Sequence, residues 1–463
     1  MASVGIAQSR QKAGRTSARA VVAGCVGNII EHIDLGLYGY LAPVMAGTFF
    51  PGHDHTAALL GTYGAFALGY VAQPVGGILF GRMGDRLGRR AVLLTTIILV
   101  GVLTTCIGIL PGYAQVGIAA PALLMLVRLL QGVAHGGEYG GALTYLVEHA
   151  GPRRRGLYSG YASMGVFGGL LVGAGMSALV SAVLTDEQMH AWGWRLPFLT
   201  ALPLAAVGLF LRTGADETPA FLASREAGEA PPASPIRETL RTQWRPLLLF
   251  SACAMTNAVL SFVWVAYLPG WLESDGGLSS TAAFASHTVA LAVLIPLLAV
   301  AGILSDRIGR RPLLLAGCAS TIVLVPLSFW VAHGGTFGAA LGAQLIYLVP
   351  EFCIAVPLAA WLPEMVPTRL RVTATALGFN VPFALFSGTA PLVATALVDW
   401  SGTLYAVSAY IGVLAAISFV VVLCGLRETA QDDTLPAVPP ESLPDTATAR
   451  TTTAPAPRVP QEG

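Results

Sequence analysis

Two carboxylates, Glu31 and Asp34, lie within the apolar segment 27–49, which is long enough to cross a bilayer as a helix. An acid at that depth costs several kcal/mol unless it faces water or a charged partner. A carboxyl group that is desolvated in one state and paired with a cation in another binds and releases a proton as the state changes. The two acids therefore predict proton binding inside a membrane.

A second polar stripe begins at Arg128. Gln131, His135 and Glu138 follow at helical spacing, so an amide, an imidazole and an acid share the helix face of the arginine. We predict that this face meets the two acids across a water-filled cavity, with the arginine as their switching partner. The alternative is a permanent ion pair that only fixes helix packing. The predicted proton-coupling residues are Glu31, Asp34, Arg128, His135 and Glu138.

Further polar and aromatic side chains within apolar segments are predicted to contact a substrate. The rings of Tyr38, Trp264 and Tyr347 suit a quaternary ammonium through cation–π contacts, and packing is the alternative role of such rings. His135 and Glu138 have H-x-x-E spacing without a further histidine or cysteine ligand, so no metal site is predicted. The predicted substrate contacts are Asn28, His32, Tyr38, Gln73, Gln131, Asn257, Trp264, Tyr347, Glu351 and Asn380.

The composition excludes an ordinary soluble enzyme. Of the 463 residues, 54% are hydrophobic and 11% are charged, whereas a soluble domain carries about 25% charged residues. Hydropathy windows of about 19 residues predict twelve membrane-crossing helices. They lie near 20–50, 57–80, 91–111, 118–148, 156–184, 192–212, 246–272, 280–303, 312–332, 337–363, 371–398 and 402–426.

The basic residues set the orientation, because cytoplasmic loops carry an excess of Lys and Arg. With both termini cytoplasmic, every Lys and Arg except Arg128 and Arg195 falls in a cytoplasmic segment. We therefore predict a multi-pass protein of the cell membrane (plasma or inner membrane) with both termini cytoplasmic. The predicted domains are a cytoplasmic N-terminal tail (1–19), an N-terminal six-helix bundle (20–212), a cytoplasmic linker (213–245), a C-terminal six-helix bundle (246–427) and a disordered cytoplasmic tail (428–463).

The two halves repeat, because GRMGDRLGRRAVLL at 81–94 recurs as GILSDRIGRRPLLL at 302–315. Each copy follows the second predicted helix of its half. Two related six-helix bundles are a transporter architecture, with the binding site between the bundles near the membrane midplane.

The repeated loop matches the signature between the second and third helices of the major facilitator superfamily, which the chain resembles over its membrane part. Within it, the chain resembles the metabolite:proton symporter branch, which includes proline/betaine, α-ketoglutarate and shikimate transporters. The matching blocks are GNIIEHIDLGLYGYLAP (27–43), RLLQGVAHGGEYGGA (128–142), WGWRLPF (192–198), ETPAF (217–221) and PTRLRVTATALGFN (367–380).

The resemblance implies an all-α fold of twelve transmembrane helices in two pseudo-symmetric bundles, with a gate at the cytoplasmic mouth. Gln73 stands where the family usually has arginine, which favours a zwitterion or an amine over a di- or tricarboxylate. The implied gating residues are Gly81, Gly84, Asp85, Arg86, Gly88, Arg89, Arg90, Asp306, Arg307, Gly309, Arg310 and Arg311.

We therefore predict a secondary active transporter that takes up a small polar metabolite, a zwitterion or an organic acid, by proton-coupled symport and alternating access. The alternative is a proton-coupled antiporter that exports drugs or amphiphilic metabolites. A third alternative is a membrane receptor without transport. The expected partners are the substrate, protons and the lipid bilayer, with a monomer as the expected state. No cofactor, nucleic acid or enzymatic activity is expected.

Overall fold

A computed structural model describes residues 2–50, 55–151, 153–214, 216–228 and 234–430. The first six long helices are α1 (Ala2–Phe49), α2 (His55–Leu87), α3 (Arg89–Ile109), α4 (Ala119–His149), α5 (Arg155–Val183) and α6, which combines a π-helical turn (Met189–Gly193) with Arg195–Leu199 and Ala201–Thr213. Two short helices, Tyr113–Val116 and Asp186–Gln188, lie in the loops before α4 and α6.

The second half repeats this arrangement after two linker helices, Pro219–Glu226 and Pro235–Thr242. Its helices are α7 (Trp244–Phe262, a π-helical turn Val263–Tyr267, and Leu268–Ser274), α8 (Ser280–Ile308), α9 (Arg310–Ala332), α10 (Phe337–Met365), α11 (a 3₁₀ turn Thr368–Leu370, then Arg371–Phe386 and Ala390–Ser401) and α12 (Tyr405–Gly425).

Among the described residues, eleven helices, α2 to α12, are long and apolar enough to cross a membrane. The helix that carries Glu31 and Asp34, α1, completes the predicted set of twelve. It begins at Ala2, so the backbone is already helical through most of the predicted tail 1–19.

Close helix packing positions α1, which packs along α5 and also against α4. A stripe of Gly165, Gly169 and Gly173 on α5 faces α1. A Cβ atom at Gly169 or Gly173 would overlap the α1 backbone at Ile29 or Ile33, so these glycines allow the two helices to approach closely. The polar segment of α1 is thereby held at a fixed depth against the rest of its bundle.

The two bundles meet mainly along two helix pairs, α2 with α11 and α5 with α8. These pairs are equivalent in the sequence repeat, because α8 corresponds to α2 and α11 to α5. The loops α2–α3, α4–α5, α8–α9 and α10–α11 all lie at one end of the molecule, here named the arginine-rich end. The arginine distribution predicts that this end is cytoplasmic.

Candidate functional site

A cavity of about 310 Å³ lies between the two bundles. Its walls come from α1, α2, α4 and α5 on one side and from α7, α8, α10 and α11 on the other. The side chains of both halves therefore surround one central space, as the repeat predicts. The predicted site residues that line it are Glu31, His32, Tyr38, Gln73, His135, Asn257, Glu351 and Asn380.

His135 joins the two acids of α1. Its Nδ1 atom lies 2.8 Å from Oε1 of Glu31, and its Nε2 atom lies 3.3 Å from Oδ2 of Asp34. An imidazolium, which carries an N–H on both nitrogens, donates to both carboxylates at once. All three side chains are buried, at 9%, 3% and 1% exposure respectively, so their charges interact in a poorly hydrated setting.

Arg128 completes this cluster behind the cavity wall. Its Nη1 atom donates to Oδ2 of Asp34 at 3.2 Å and to Oε1 of Gln131 at 2.9 Å. The guanidinium also lies 3.7 Å from the centre of the Tyr38 ring. With His135 protonated, the two carboxylates and two cations balance in charge.

The structure distinguishes the two acids that the sequence treats as equivalent. Glu31 and His135 line the cavity, whereas Asp34 and Arg128 are not among its lining residues. The face of the Tyr38 ring is occupied by Arg128, which differs from the expected contact between this ring and a substrate cation. Asp34 therefore holds His135 in place, while Glu31 meets the cavity.

Glu138 differs from expectation more strongly. It bonds to Arg212 on α6 and to Thr96 on α3, and it does not line the cavity. Arg212, which the sequence places at the cytoplasmic end of the sixth predicted helix, is 1% exposed and donates to the Leu93 carbonyl at 2.6 Å. Gly27 leaves the space for this guanidinium, since a Cβ atom there would overlap it. The pair ties α4 to α6 inside the bundle.

Four predicted substrate contacts are also turned away from the cavity. Tyr347 donates to the Leu260 carbonyl at 3.0 Å, and Trp264 is fully buried. Asn28 donates to the Ala162 carbonyl, at 3.0 Å. These side chains connect helices. The four that do not line the cavity are Asn28, Gln131, Trp264 and Tyr347.

Several lining residues were missed by the sequence reasoning. His287 lines the wall from α8, and its ring lies 4.8 Å from the ring of Trp264. Tyr70 of α2 and Phe262 of α7 face each other across the two bundles with their ring centres 5.2 Å apart. The only sequence signal for His287 is a histidine inside an apolar segment.

The repeated loops form two clusters at the arginine-rich end. We name them the first gate cluster (Asp85, Arg89, Glu148, Glu217 and Thr218) and the second gate cluster (Asp306, Arg310, Glu364, Glu428 and Thr429). In each cluster the arginine is fully buried and pairs with a glutamate from the end of α4 or α10. The shortest of these contacts are 3.0 Å from Arg89 to Glu148 and 2.8 Å from Arg310 to Glu364.

A glutamate also caps the helix that follows each loop. Glu217 accepts from the backbone N–H groups of Arg89 and Arg90 at 3.0 and 3.2 Å. Glu428 accepts from the equivalent groups of α9, which belong to Arg310 and Arg311, at 2.9 and 3.0 Å. A carboxylate is favourable at a helix N-terminus because the first N–H groups lack partners within the helix.

The capping requires two glycines with positive φ. Gly88 has a φ of 104° and Gly309 a φ of 108°. Only glycine adopts this region without strain, and a Cβ atom at either position would overlap the capping glutamate. The sequence repeat thus reproduces a backbone conformation as well as a charge pattern.

The gate clusters also join the two bundles. Asp85 accepts from the backbone N–H groups of Val372 and Thr373 at 3.1 and 3.0 Å. Asp306 accepts from Gly156 and Leu157 at 2.8 and 2.9 Å. Each aspartate of one bundle therefore binds the start of a helix in the other.

The first gate cluster has additional bonds between bundles. Arg371 of α11 donates to Glu148 at 2.9 Å, and Arg89 donates to the Thr368 carbonyl at 2.6 Å. These contacts hold the bundles together at the arginine-rich end. All twelve predicted gating residues lie at this end, in or beside the two loops.

The segment 428–430 differs from the predicted disordered tail. Glu428 caps α9, and Thr429 bonds to Glu364. The same contacts occur earlier in the chain, where Thr218 donates to Glu148 at 2.5 Å. A Glu-Thr pair at 217–218 and again at 428–429 was the sequence signal. The rest of the predicted tail, 431–463, lies outside the described residues.

The chain is similar to known proteins in both sequence and fold. The profile of the Major Facilitator Superfamily matches residues 24–381. A proline/betaine transporter of Salmonella typhimurium is 33% identical over 437 residues, covering 92% of this chain and 86% of that protein. A glycine betaine/proline/ectoine/pipecolic acid transporter of Dickeya dadantii is 34% identical, with the same coverage. Among solved structures, the proton:xylose symporter XylE bound to 6-bromo-6-deoxy-D-glucose has a TM-score of 0.74 at 17% identity, over 90% of this chain and 97% of that chain.

Proposed function

The chain belongs to the major facilitator superfamily, and from this we propose that it takes up a small zwitterionic osmolyte by proton-coupled symport. Membership confirms the predicted fold of twelve helices in a multi-pass membrane protein. It also confirms that the chain is a transporter and not an enzyme, since its relatives are transporters. The proton coupling, the substrate and the roles of individual residues form the proposal.

The contact between His135 and Glu31 carries the proposal. It is buried, it lines the cavity, and it joins an imidazole, which can take up and release a proton, to a carboxylate. In the proposed cycle a proton enters this contact from one side of the membrane and leaves to the other. Asp34 and Arg128 act behind it as a fixed pair that holds the imidazole and limits its rotation.

The contacts between the bundles support alternating access. At the arginine-rich end they involve buried ion pairs and backbone N–H groups. Towards the opposite end, Tyr40 and Phe284 meet as rings 5.1 Å apart, and the Tyr40 hydroxyl is 3.4 Å from Thr288. Ring contacts separate at lower cost than buried ion pairs. The cavity therefore opens more easily away from the arginine-rich end in this state.

The substrate class comes from the relatives and from the cavity. Proline, betaine and ectoine, named for the relatives, are small zwitterions. The cavity has ionisable groups on both walls, with Glu31 and His135 on one side and Glu351 on the other. Symport of one proton across 100 mV supplies about 2.3 kcal/mol, enough for roughly fiftyfold accumulation of a neutral zwitterion.

The test uses the full chain in proteoliposomes with radiolabelled proline or betaine. An inward proton gradient should drive accumulation in the wild type. Glu31→Gln should lose this accumulation and keep exchange of labelled for unlabelled substrate, because exchange needs no net proton movement. Asp34→Asn should also lose accumulation, since His135 loses one of its two partners.

Glu273→Gln is the matched control, because Glu273 is an exposed glutamate at the far end of α7. It should behave as the wild type. Proton-driven accumulation by Glu31→Gln at the wild-type level would contradict the coupling role. Substrate leaving acid-outside vesicles would instead identify the exporter predicted as the alternative.

A further inference from the structure

The C-terminal wall of the cavity presents hydrogen-bond acceptors that lack donors among the described residues. Glu351 on α10 is fully buried and lines the cavity. Its Oε1 atom accepts from the Ser261 hydroxyl at 2.6 Å, whereas no described residue donates to Oε2. An unpaired buried carboxylate oxygen is costly unless a donor reaches it from the cavity.

Asn257 contributes a second acceptor from α7. It is 7% exposed and lines the same cavity. Its Oδ1 atom has no hydrogen-bond donor in the part of the chain that the structure describes. It lies one helical turn before Ser261, so both side chains point from the same face of α7.

His287 contributes a third acceptor, and its tautomer follows from its neighbours. The Ser286 hydroxyl donates to the Ala283 carbonyl at 2.7 Å and so accepts from Nε2 of Gln344 at 2.6 Å. The Gln344 Oε1 atom then faces Nδ1 of His287 at 2.8 Å. Because a carbonyl oxygen only accepts, Nδ1 carries a proton, and in the neutral imidazole Nε2 then has the lone pair.

One wall of the cavity therefore has a carboxylate oxygen, an amide oxygen and an imidazole nitrogen, all of which accept hydrogen bonds. None of the three belongs to the cluster of Glu31, Asp34, His135 and Arg128 on the opposite side of the cavity. We propose that Glu351, with Asn257 and His287, binds the cationic nitrogen of the substrate through its N–H groups. The transporter then prefers a primary or secondary ammonium to a fully methylated one.

This inference rests on the proposed function only in taking the substrate to be a small zwitterion. It adds the orientation of the substrate, with its ammonium towards α7, α8 and α10. It also separates proline, whose ring nitrogen has two N–H groups, from betaine, whose nitrogen has none. A trimethylated nitrogen balances the charge of Glu351 but donates no hydrogen bond to any of the three unpaired acceptors on this wall.

The test measures equilibrium binding to the purified full-length protein without a proton gradient. The ligands are proline, N-methylproline and N,N-dimethylproline, which keep the ring and the charge and lose N–H groups one at a time. In the wild type the affinity should fall roughly fivefold with each lost N–H group. Glu351→Gln should weaken proline binding by roughly 10- to 100-fold and narrow the difference between the ligands.

Ser261→Ala keeps the charge of Glu351 and should retain the order of affinities. Glu273→Gln should match the wild type, since this glutamate is exposed and outside the cavity. Equal affinity of the wild type for proline and N,N-dimethylproline overturns the inference, and so does wild-type proline affinity in Glu351→Gln. Where a melting curve shows that Glu351→Gln is unfolded, the methylation series on the wild type decides alone.

The two proposals fail in different ways. Binding that follows the N–H series without proton-driven accumulation in vesicles overturns the proposed coupling and supports the inference. Equal affinity for all three ligands, together with proton-driven accumulation of each, supports the proposed coupling and overturns the inference. If none of the three ligands binds, both the inference and the proposal of a zwitterionic substrate are wrong.

Discussion

The two gate clusters share their sequence and differ in what they connect. In both, an arginine, a glutamate and a capping Glu-Thr pair hold the ends of neighbouring helices within one bundle. In the first cluster, Glu148 also accepts from Arg371 of the opposite bundle. Glu364, its counterpart, takes its arginine contact from Arg310 of its own bundle.

The difference shows that two copies of one repeated sequence need not make the same contacts between the bundles. The contacts within each bundle are nearly identical, so they keep each bundle rigid. The contacts between bundles are unequal, and the first cluster has the buried charge that must separate when the arginine-rich end opens. We therefore expect the first cluster to control that opening and the second to follow.

The largest expected effect separates the two glutamates. Glu148→Gln leaves Arg371 buried without its carboxylate and leaves Arg89 with only the more distant Asp85, at 4.0 Å. An uncompensated buried charge costs about 3–5 kcal/mol. Glu364→Gln should cost less, since Arg310 still reaches Asp306 at 2.8 Å. Thermal unfolding of the purified variants checks the order.

The same pair of variants reports on opening. Spin labels at Leu87 and Ile308, both exposed at the arginine-rich end, should move apart in Glu148→Gln and stay near the wild-type distance in Glu364→Gln. Equal loss of stability and equal separation in the two variants would show that the clusters are energetically symmetric.

An intermediate effect is expected at the two capping glycines, and it should be the same in both halves. Gly88→Ala and Gly309→Ala each place a side chain at positive φ against a capping carboxylate, at a cost of about 1–3 kcal/mol. Gly117→Ala is the control, because Gly117 has a φ of 59° with open space around it. It should lose less stability in the same unfolding measurement. Unequal losses of stability at Gly88 and Gly309 would show that the two clusters also differ in their contacts within each bundle.

The smallest effect is expected at Arg369. Its pair with Glu238 of the linker is short, at 2.6 Å, but the two side chains are 43% and 28% exposed. Such surface pairs contribute about 0–1 kcal/mol and are screened by salt. Arg369→Ala should therefore leave uptake near the wild-type rate at low and high salt. A loss as large as that of Glu148→Gln would mean that the linker, too, controls the opening.

The sequence predicted the fold and part of the site because their signals are strong. Apolar windows of membrane length mark the helices, and the repeated loop marks both gate clusters. Charged side chains in apolar helices require partners, so the cluster of Glu31, Asp34, His135 and Arg128 was within reach.

The remainder depends on helix rotation and on contacts far apart in the chain. Glu138 follows His135 by three residues on α4, so the two side chains point in slightly different directions around the helix. Glu138 reaches Arg212, whereas His135 reaches the cavity. No periodicity resolves such an angle. Glu428 was assigned to the tail because the composition that follows it is rich in Pro and Thr, which hides a two-residue signal.

The docking of Glu428 and Thr429 determines where the protein tolerates alteration. A deletion that removes Glu428 leaves the backbone N–H groups of Arg310 and Arg311 without their acceptor. These groups lie next to the buried side chain of Arg310. A purification tag or a fluorescent fusion attached beyond Ala430 leaves this contact whole. The practical C-terminus of the membrane part is therefore set by a hydrogen bond rather than by the last apolar residue of α12.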